Sequence, residues 1–414
     1  MFNRRAFLRN SGIAMFGLGA SPLWLERALG QETRRKKVLV AIFQRGAADG
    51  LNIVVPFGEK AYYANRPGIA VQAPGSGNSS AVDLDGFFGL NPNLKALKPV
   101  FDSKHLAIVH ATGSPDPTRS HFDAQDYMES GTPGLKATRD GWLNRVLVKE
   151  SDKSPIRAVS MGPVMARTLR GVNSAVALNN VRDFQVKDAR ASEDFMNRYA
   201  STADQELRGT GKETFEAIRL LESLQTAQYQ PSNGANYPAG KLGSGLKQIA
   251  QMIRADAGLE VAFADLGGWD HHVNEVGATA MDGPLANRLS EFGNSLAAFY
   301  QDLGDRMDDV VVVTMSEFGR TVKENGNRGT DHGHANVMFV MGGGVEGGKV
   351  LGKWPGLEKE QLYEGRDLAV TTDFRAVLGT VVREHLRQKD LAKVFPGFQG
   401  SGMPLELLTV QRSG

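Results

Sequence analysis

The sequence predicts an α/β protein in which a mainly parallel central sheet is covered by helices on both faces, giving three layers. Six short runs, beginning with KVLVAIFQ at 37–44, are almost continuously apolar, as expected of strands buried on both faces. Helical patterns lie between most of these runs, and this alternation favours a parallel sheet. The chain of 414 residues is long enough for one large domain with a substantial core.

The predicted elements alternate along most of the chain. The predicted strands are residues 37–44, 105–112, 156–161, 259–266, 309–316 and 337–341. The predicted helices are residues 120–130, 189–207, 212–229, 242–255, 285–307 and 373–389. The helix-rich stretch 183–255 is a candidate helical cap or subdomain.

Residues 1–30 have the pattern of a twin-arginine signal peptide. Arg4 and Arg5 precede Phe-Leu and a weakly apolar run at 11–25, which is interrupted by glycines and a proline. A membrane-spanning helix needs roughly twenty predominantly apolar residues, so this run is too short and too broken to anchor well. A buried amphipathic helix is the alternative. We expect the twin-arginine translocase to export the folded chain, so that the protein is periplasmic or secreted. Residues 31–414 would then form the functional α/β domain. A chain whose signal peptide is not cleaved would stay tethered to the membrane.

Composition excludes several classes of function. The formal net charge is only +2, which gives no electrostatic support for a nucleic-acid partner. The chain has no cysteine, so neither disulfides nor thiolate metal sites can form. No apolar run after the leader approaches spanning length, and we therefore expect no stable membrane span after cleavage. Any metal must be held by His, Asp, Glu or water.

Acids and histidines lie beside several predicted strand ends, where α/β sheets bind ligands. They are Asp49 after the first strand, Asp270, His271 and His272 after 259–266, Glu317 after 309–316, and Asp331, His332 and His334 before 337–341. Oxygen and imidazole ligands that converge from separate segments suit a divalent ion, with Zn, Mn and Ca left open. The alternative is a set of polar loops that bond to one another. His105, His110 and His385 stand inside strand or helix patterns and are expected to be structural.

The segment Thr118-Arg119-Ser120-His121 follows the second predicted strand and begins a helix. A hydroxyl there lies among backbone amides that can stabilise an oxyanion, so Ser120 and Thr118 are candidate nucleophiles. Arg119 is a candidate contact to a phosphate or sulfate group, and Arg320 is a second one. Ser120 with Asp123 also has the form of a helix cap, which would by itself account for that serine.

Five motifs together resemble one family of secreted proteins, DUF1501. They are RGAADGLN at 45–52, RSHFDAQDYMESG at 119–131, GGWDHH at 267–272, SEFGRT at 316–321 and GTDHGHANVMFVMGGGV at 329–345. That family is distantly similar to the alkaline phosphatase and sulfatase superfamily of metal-dependent ester hydrolases. The resemblance implies an alkaline-phosphatase-like fold.

The resemblance also implies roles for particular residues. Asp49 matches the first metal-binding acid, and Asp270 with His272 resembles a later Asp/His pair. His332, or else His334, resembles the late histidine, and Thr118 or Ser120 lies at the nucleophile position. Where the superfamily usually has Asp-His this chain has Glu317-Phe318, so one imidazole ligand is missing there. Either His334, Asp331 or His271 compensates for it, or the second metal of the superfamily is absent.

Two functions follow as hypotheses. The first is an exported metal-dependent hydrolase that acts on a phosphate or sulfate ester of a small molecule or polymer. The second is a secreted binding or assembly protein that keeps the hydrolase fold with an incomplete metal site. A phosphomutase with this fold would fit a cytosolic chain better.

Overall fold

The computed structural model describes residues 35–147, 154–181, 216–222, 229–400 and 407–408. The chain divides into two units, residues 1–36 and 37–414, and every element below belongs to the second. The predicted signal peptide and the predicted helix 189–207 lie outside the described residues. Of the predicted helix 212–229, residues 216–222 are described and are helical.

In the described part of the chain, nine strands form one central sheet and three form a small antiparallel sheet. The central strands are β1 (Val38–Gln44), β5 (Leu106–Gly113), β6 (Ala158–Met161), β7 (Val176–Leu178), β8 (Val261–Leu266), β9 (Val310–Met315), β10 (Asn336–Gly342), β11 (Lys349–Leu351) and β12 (Thr372–Asp373). The small sheet contains β2 (Val54–Val55), β3 (Val82–Asp83) and β4 (Gly89–Leu90). All six predicted strands are present. The unpredicted ones have two or three residues each, too few for a periodic pattern.

The central sheet is parallel except at one strand. Its order is β11-β5-β10-β9-β1-β8-β6-β7, with β12 also paired to β5. β10 runs antiparallel to both of its neighbours, β5 and β9, whereas the other pairings in this sheet are parallel. The amino end of β10 therefore lies at the same edge as the carboxyl ends of β1, β5, β8 and β9.

Helices connect the strands. The α-helices are α1 (Gly50–Ile53), α2 (Lys60–Asn65), α3 (Lys98–Asp102), α4 (His121–Ser130), α5 (Trp142–Val146), α6 (Lys241–Arg254), α7 (Pro284–Leu303), α8 (Phe374–Glu384) and α9 (Leu391–Val394). Four of these nine α-helices in the described part of the chain, α4, α6, α7 and α8, correspond to predicted helices. Short 3-10 helices lie at Pro92–Leu97, Arg167–Leu169, Gly304–Asp309 and Lys359–Gln361. α4 begins after Ser120, whose side chain accepts from the Asp123 amide, and ends at Gly131 with a φ of 69°.

The two faces of β1 pack into separate cores, which confirms the predicted three layers. Val38, Val40 and Ile42 belong to the core that contains α6 and α7. The alternate residues, among them Phe43, belong to the core that contains α5 and α8. Because both faces are covered by helices, every residue of β1 is buried, and this is why its sequence is continuously apolar.

α6 forms part of the stretch 183–255 that is the candidate cap. It packs against α7 and β8 and contributes Leu246, Ile249 and Ile253 to the core. The carboxyl-terminal part of the stretch is therefore a layer of the main domain, whereas residues 182–215 and 223–228 lie outside the description. Among the described residues, none of the helices is both long and apolar enough to cross a membrane.

His110 makes folding stability depend on pH. Its Nδ1 accepts from the Ala111 amide at 2.9 Å and its Nε2 donates to the Val54 carbonyl at 3.0 Å, so the imidazole is neutral. Burial lowers its pKa to about 4, below the value of about 6.5 expected in the unfolded chain. The unfolded chain therefore binds a proton that the folded protein does not, and stability is lost as the pH falls through this window.

We expect His110→Gln, which can still donate to Val54, to remove this part of the pH dependence. Between about pH 7 and pH 4 the wild type should lose up to about 3 kcal/mol of unfolding free energy relative to the variant, measured by urea denaturation. A difference between the two proteins that stays constant with pH would contradict this assignment.

Candidate metal centre

Five segments that carry acids or histidines meet at one edge of the central sheet. Four of them follow β1, β5, β8 and β9, and the fifth precedes β10, which runs the other way. Gly46, in the segment after β1, has a φ of 119°, and a Cβ there would lie 2.7 Å from the Asp270 amide. Only glycine allows the segment after β1 to approach the segment after β8 this closely.

Three imidazoles and one carboxylate converge at this edge. The Nε2 atom of His332 lies 3.0 Å from Nε2 of His121 and 3.0 Å from Nε2 of His272. Asp270 places Oδ1 at 3.0 Å from His272 Nε2 and 3.4 Å from His332 Nε2, and Oδ2 at 3.6 Å from His121 Nε2. One ligand atom each from His121, Asp270 and His332 lie within 4.8 Å of one another.

The outward nitrogen of each imidazole faces a hydrogen-bond acceptor. His332 Nδ1 lies 2.9 Å from the Arg119 carbonyl oxygen. Because a carbonyl oxygen can only accept a hydrogen bond, Nδ1 is the donor. His121 Nδ1 lies 2.8 Å from Glu317 Oε1, and His272 Nδ1 lies 3.2 Å from Asp331 Oδ1. With the protons on Nδ1, the Nε2 lone pairs point at one another and at Asp270.

This donor set fits a divalent metal ion. Lone pairs separated by 3.0 Å repel one another unless a cation lies between them. A tetrahedral zinc with bonds of about 2.0–2.1 Å would separate its ligand nitrogens by roughly 3.3 Å, close to the separation seen here. Outer partners that hold each imidazole by its other nitrogen are also typical of metal sites.

The protonation of the two central histidines differs. The hydrogen bond to Glu317 raises the pKa of His121. Burial lowers the pKa of His332, with the charge of His121 acting in the same direction. For Asp270, burial alone would raise the pKa, but the hydrogen bond from Arg320 holds it below its usual value. His332 is therefore available as a neutral ligand and Asp270 as a charged one.

Glu317 lies outside the ligand cluster, contrary to the prediction that it binds metal. It is buried, and its Oε1 accepts from the Gly46 amide at 2.9 Å as well as from His121 and Gln125 at 2.8 Å each. Burial would raise its pKa, yet these hydrogen bonds lower it. Glu317 is thus an ionised group that orients His121.

Asp331 and His334 are also placed differently from the prediction. Asp331 is exposed and contacts His272 Nδ1, so it orients a ligand. His334 is buried and its Nε2 donates to the Ser114 carbonyl at 3.0 Å, away from the three converging imidazoles. One residue separates His332 from His334 in the sequence, but only His332 reaches the cluster.

Asp49 is held by a buried arginine. Its oxygens accept from Arg66 Nη1 and Nη2, the latter at 3.0 Å, and both side chains are almost fully buried. Burial alone would raise the pKa of Asp49, but Arg66 lowers it. Burial and the Asp49 charge raise the pKa of the neighbouring Glu275. Asp49 is not a member of the group whose ligand atoms converge, which among the described residues is His121, Asp270 and His332.

The arginines predicted to contact an anion are already paired. Arg119 donates to Asp367 at 2.6 Å and to Glu364 at 2.7 Å. Arg320 is buried and donates to Asp270 Oδ1 at 2.6 Å. Both acids that hold Arg119 lie more than 240 positions away in the sequence, so sequence reasoning could not pair them.

The two candidate hydroxyls lie in the loop before α4. Ser120 is exposed and caps the helix, which agrees with its alternative interpretation. Thr118 Oγ1 accepts from the Ser120 amide at 3.3 Å. His121, the next residue, is the member of the converging group that the sequence analysis did not name as a candidate metal-binding residue. Its position directly after a helix cap at a strand end was the available signal.

Comparison with known families now identifies the chain. The model of a protein family of unknown function, DUF1501, matches residues 103–394, which is more than half of the chain. The chain belongs to the DUF1501 family. The resemblance found in the sequence motifs is thereby confirmed. None of the curated proteins compared with this DUF1501 protein matches it.

Three solved structures are examples of those to which the fold of this DUF1501 protein is similar. The C-terminal periplasmic domain of EcEptC from Escherichia coli, in complex with Zn, is 9% identical, with 75% of this chain and 73% of that one covered and a TM-score of 0.34. The PsFucS1 sulfatase from Pseudoalteromonas sp. is 12% identical over 78% and 66% of the chains, with a TM-score of 0.34. An alkaline phosphatase from the Antarctic bacterium TAB5 is 10% identical over 74% and 92%, with a TM-score of 0.30. Likenesses this weak carry no inference about activity.

We expect His332→Ala to lose stoichiometric divalent metal and His334→Ala to keep it. The two imidazoles are separated by one residue, but only that of His332 faces the other ligands. Elemental analysis of both purified variants, with unfolding midpoints to confirm that each is folded, distinguishes them. Equal metal content in folded samples of the two variants would show that the cluster does not bind the metal.

Proposed function

We propose that this DUF1501 protein is an exported metal-dependent hydrolase of a phosphate or sulfate ester. The observation that carries the proposal is the convergence of three Nε2 atoms on Asp270, with each Nδ1 held by an acceptor. Export is supported by the twin-arginine pattern at residues 1–30. The resemblance of the sequence motifs to the ester-hydrolase superfamily supports the reaction class.

His121, Asp270 and His332 would hold the ion, and His272 lies close enough to join them. A divalent ion bound there would supply Lewis acidity and lower the pKa of water. Glu317 would keep the imidazole of His121 oriented, and Asp331 that of His272. Arg320 donates to Asp270 and keeps that carboxylate ionised and fixed.

The surroundings of the cluster favour an anionic ester. The amino end of α4 lies at the cluster, because His121 is the first residue of that helix. Backbone amides and the helix dipole at such an end attract anions. Ser120 and Thr118 are engaged in the loop and the cap, so we infer that water, rather than either hydroxyl, attacks the ester.

A second candidate is a secreted binding or assembly protein that uses the metal for structure. One observation favours it: Arg119 and Arg320, the arginines predicted to meet the substrate anion, are both neutralised by carboxylates. A hydrolase with this centre must therefore bind its ester through the metal and backbone amides. Both candidate functions predict that the protein binds a metal ion, but only the hydrolase is expected to turn over an ester substrate.

The decisive assay is a panel of phosphate monoesters, phosphate diesters and sulfate esters with Zn-, Mn- and Ca-loaded protein. We expect hydrolysis of one class, a loss of about 100-fold or more in His332→Ala, and near wild-type rates in Ser120→Ala and Thr118→Ala. A comparable loss in either hydroxyl variant would identify a hydroxyl nucleophile. Fully loaded protein that hydrolyses none of the esters would favour the binding protein.

Export can be tested separately. We expect Arg4→Lys combined with Arg5→Lys to retain the protein in the cytoplasm of a bacterium that has the twin-arginine translocase, while the wild type reaches the periplasm. Cell fractionation with a cytoplasmic and a periplasmic marker protein measures the distribution. Unchanged export of the double variant would contradict the proposed route.

A further inference from the structure

Apolar side chains are exposed close to the metal centre. Phe122 directly follows the ligand His121 on α4, and Val273 directly follows His272. Phe122 is 90% exposed and Val273 is 55% exposed. Single exposed apolar residues are ordinary, but several of them beside one site indicate a surface that meets a ligand. Among the described residues, the large apolar side chains that are exposed are Phe122, Leu135, Val164, Val172, Val273 and Met281.

The loop after α4 brings Leu135 to the amino end of that helix. Lys136 Nζ lies 2.7 Å from Asp123 Oδ1, in the first turn of α4. On the other side of Leu135, a Cβ added to Gly134 would lie 3.3 Å from Oδ2 of Asp116, in the loop that precedes the helix. Leu135 therefore lies near the turn of α4 that carries Phe122, and its side chain is 52% exposed.

Val164 comes from the segment after β6 and is 68% exposed. β6 ends at Met161 and runs parallel to β8, so its carboxyl end lies at the edge of the sheet that carries the metal centre. Arg167, three positions after Val164, pairs with Asp126 at 2.8 Å. Asp126 lies four positions after Phe122, so both side chains lie on one face of α4. That face of the helix is therefore turned towards the segment that carries Val164.

The charged groups of α4 that border Phe122 are already paired within the protein. Asp123 pairs with Lys136, and Asp126 pairs with Arg167. Arg167 also donates to the Arg139 carbonyl at 2.7 Å, which joins the loop after α4 to the segment after β6. This turn of the helix thus offers a ligand a phenyl ring rather than an unpaired charge, which favours an apolar group over a highly charged polymer.

We propose that Phe122, Leu135 and Val164 form an apolar rim of the metal centre, and that the substrate is the phosphate or sulfate ester of a hydrophobic alcohol. The substrate class rests on the proposed function, because the metal ion would hold the anionic group of the ester. An anion bound there and at the amides of α4 lies next to Phe122, since His121 and Phe122 are consecutive. The alcohol part of the ester then packs on the rim, and Phe122 is the residue that determines specificity.

Alkylphosphonates test the rim without turnover, because their alkyl chain is joined to phosphorus through carbon and not through an ester oxygen. The probes are methyl-, butyl- and hexylphosphonate, and calorimetry with zinc-loaded protein measures their dissociation constants. Each methylene group that becomes buried strengthens binding by at most about fourfold. We expect wild-type protein to bind hexylphosphonate about tenfold or more tightly than methylphosphonate. This ratio should fall to about twofold in Phe122→Ser and recover in large part in Phe122→Leu.

Val172→Ser is the matched control. Val172 is 91% exposed, as fully as Phe122. It precedes β7, which begins at Val176 and runs parallel to β6, so it lies towards the opposite edge of the sheet. The control should keep the wild-type ratio. Elemental analysis of each variant verifies that the metal centre is loaded, so that a lost ratio reports the rim and not the metal.

Equal binding of hexyl- and methylphosphonate by the wild type, or an unchanged ratio in Phe122→Ser, would overturn the inference. The same holds if none of the phosphonates binds. Sedimentation with phosphatidylcholine vesicles tests a membrane as the alternative occupant. If Phe122→Ser weakens vesicle binding and leaves the phosphonate ratio unchanged, the rim meets a membrane and the inference is wrong. Chain-length-dependent binding in a protein that hydrolyses no ester would refute the proposed function and support the rim.

Discussion

The arrangement around Asp270 depends on one electrostatic constraint. The Nε2 lone pairs of His121, His272 and His332 point towards one another at short distances, and they repel one another unless a positive charge lies between them. A protein without a cation there could relieve the contacts by protonating one imidazole, and the hydrogen bond to Glu317, which raises the pKa of His121, favours a proton on that ring. One shared proton cannot satisfy both contacts of His332 Nε2, since that atom lies 3.0 Å from two other nitrogens. A divalent ion satisfies all of them together.

Arg320 joins the strand-end segments that carry the ligands. It donates to the Gly46 and Ala47 carbonyls after β1, the Trp269 carbonyl after β8 and the Thr330 carbonyl before β10. Ala47 has a φ of 60°, an unfavourable conformation for a residue with a side chain. The hydrogen bond from Arg320 Nε to its carbonyl helps to hold that conformation. Arg320 is therefore a structural cation, and its position in SEFGRT reflects this role.

The sequence predicted the fold and the edge of the sheet that carries the site, because those follow from local patterns. The long apolar strands and the polar residues at their ends can be recognised from the local sequence alone, without knowledge of tertiary contacts. It did not reveal that β10 is reversed, although that reversal is what brings His332 to the carboxyl ends of the other strands. Asp270, His272 and His332, all predicted to bind metal, lie beside one another because of this reversal, and His121, which was not among the predicted metal-binding residues, lies with them.

The errors in the predicted site concern the ion-pair and hydrogen-bond partners of the charged residues. Asp49 follows β1 as the motif requires, but Arg66, the residue after α2, donates to both of its oxygens. Arg119 is neutralised by Asp367 and Glu364, which lie far along the chain. Such pairs are set by long-range packing and leave no local pattern, so residue type and spacing alone cannot distinguish a ligand from its outer partner.

The same pairing of charges limits how an anionic ester can bind. Each guanidinium predicted to contact it already donates to a carboxylate, and separating Asp270 from Arg320, which is itself fully buried, would leave that guanidinium without its carboxylate partner. In the proposed hydrolase the attraction would then come from a metal ion held by the cluster and from the amino end of α4, which lie together because His121 is the first residue of α4 and a member of the cluster. Selectivity for one ester would therefore depend on the shape of the surrounding loops, while the affinity for its anionic group would follow the occupancy of the metal centre.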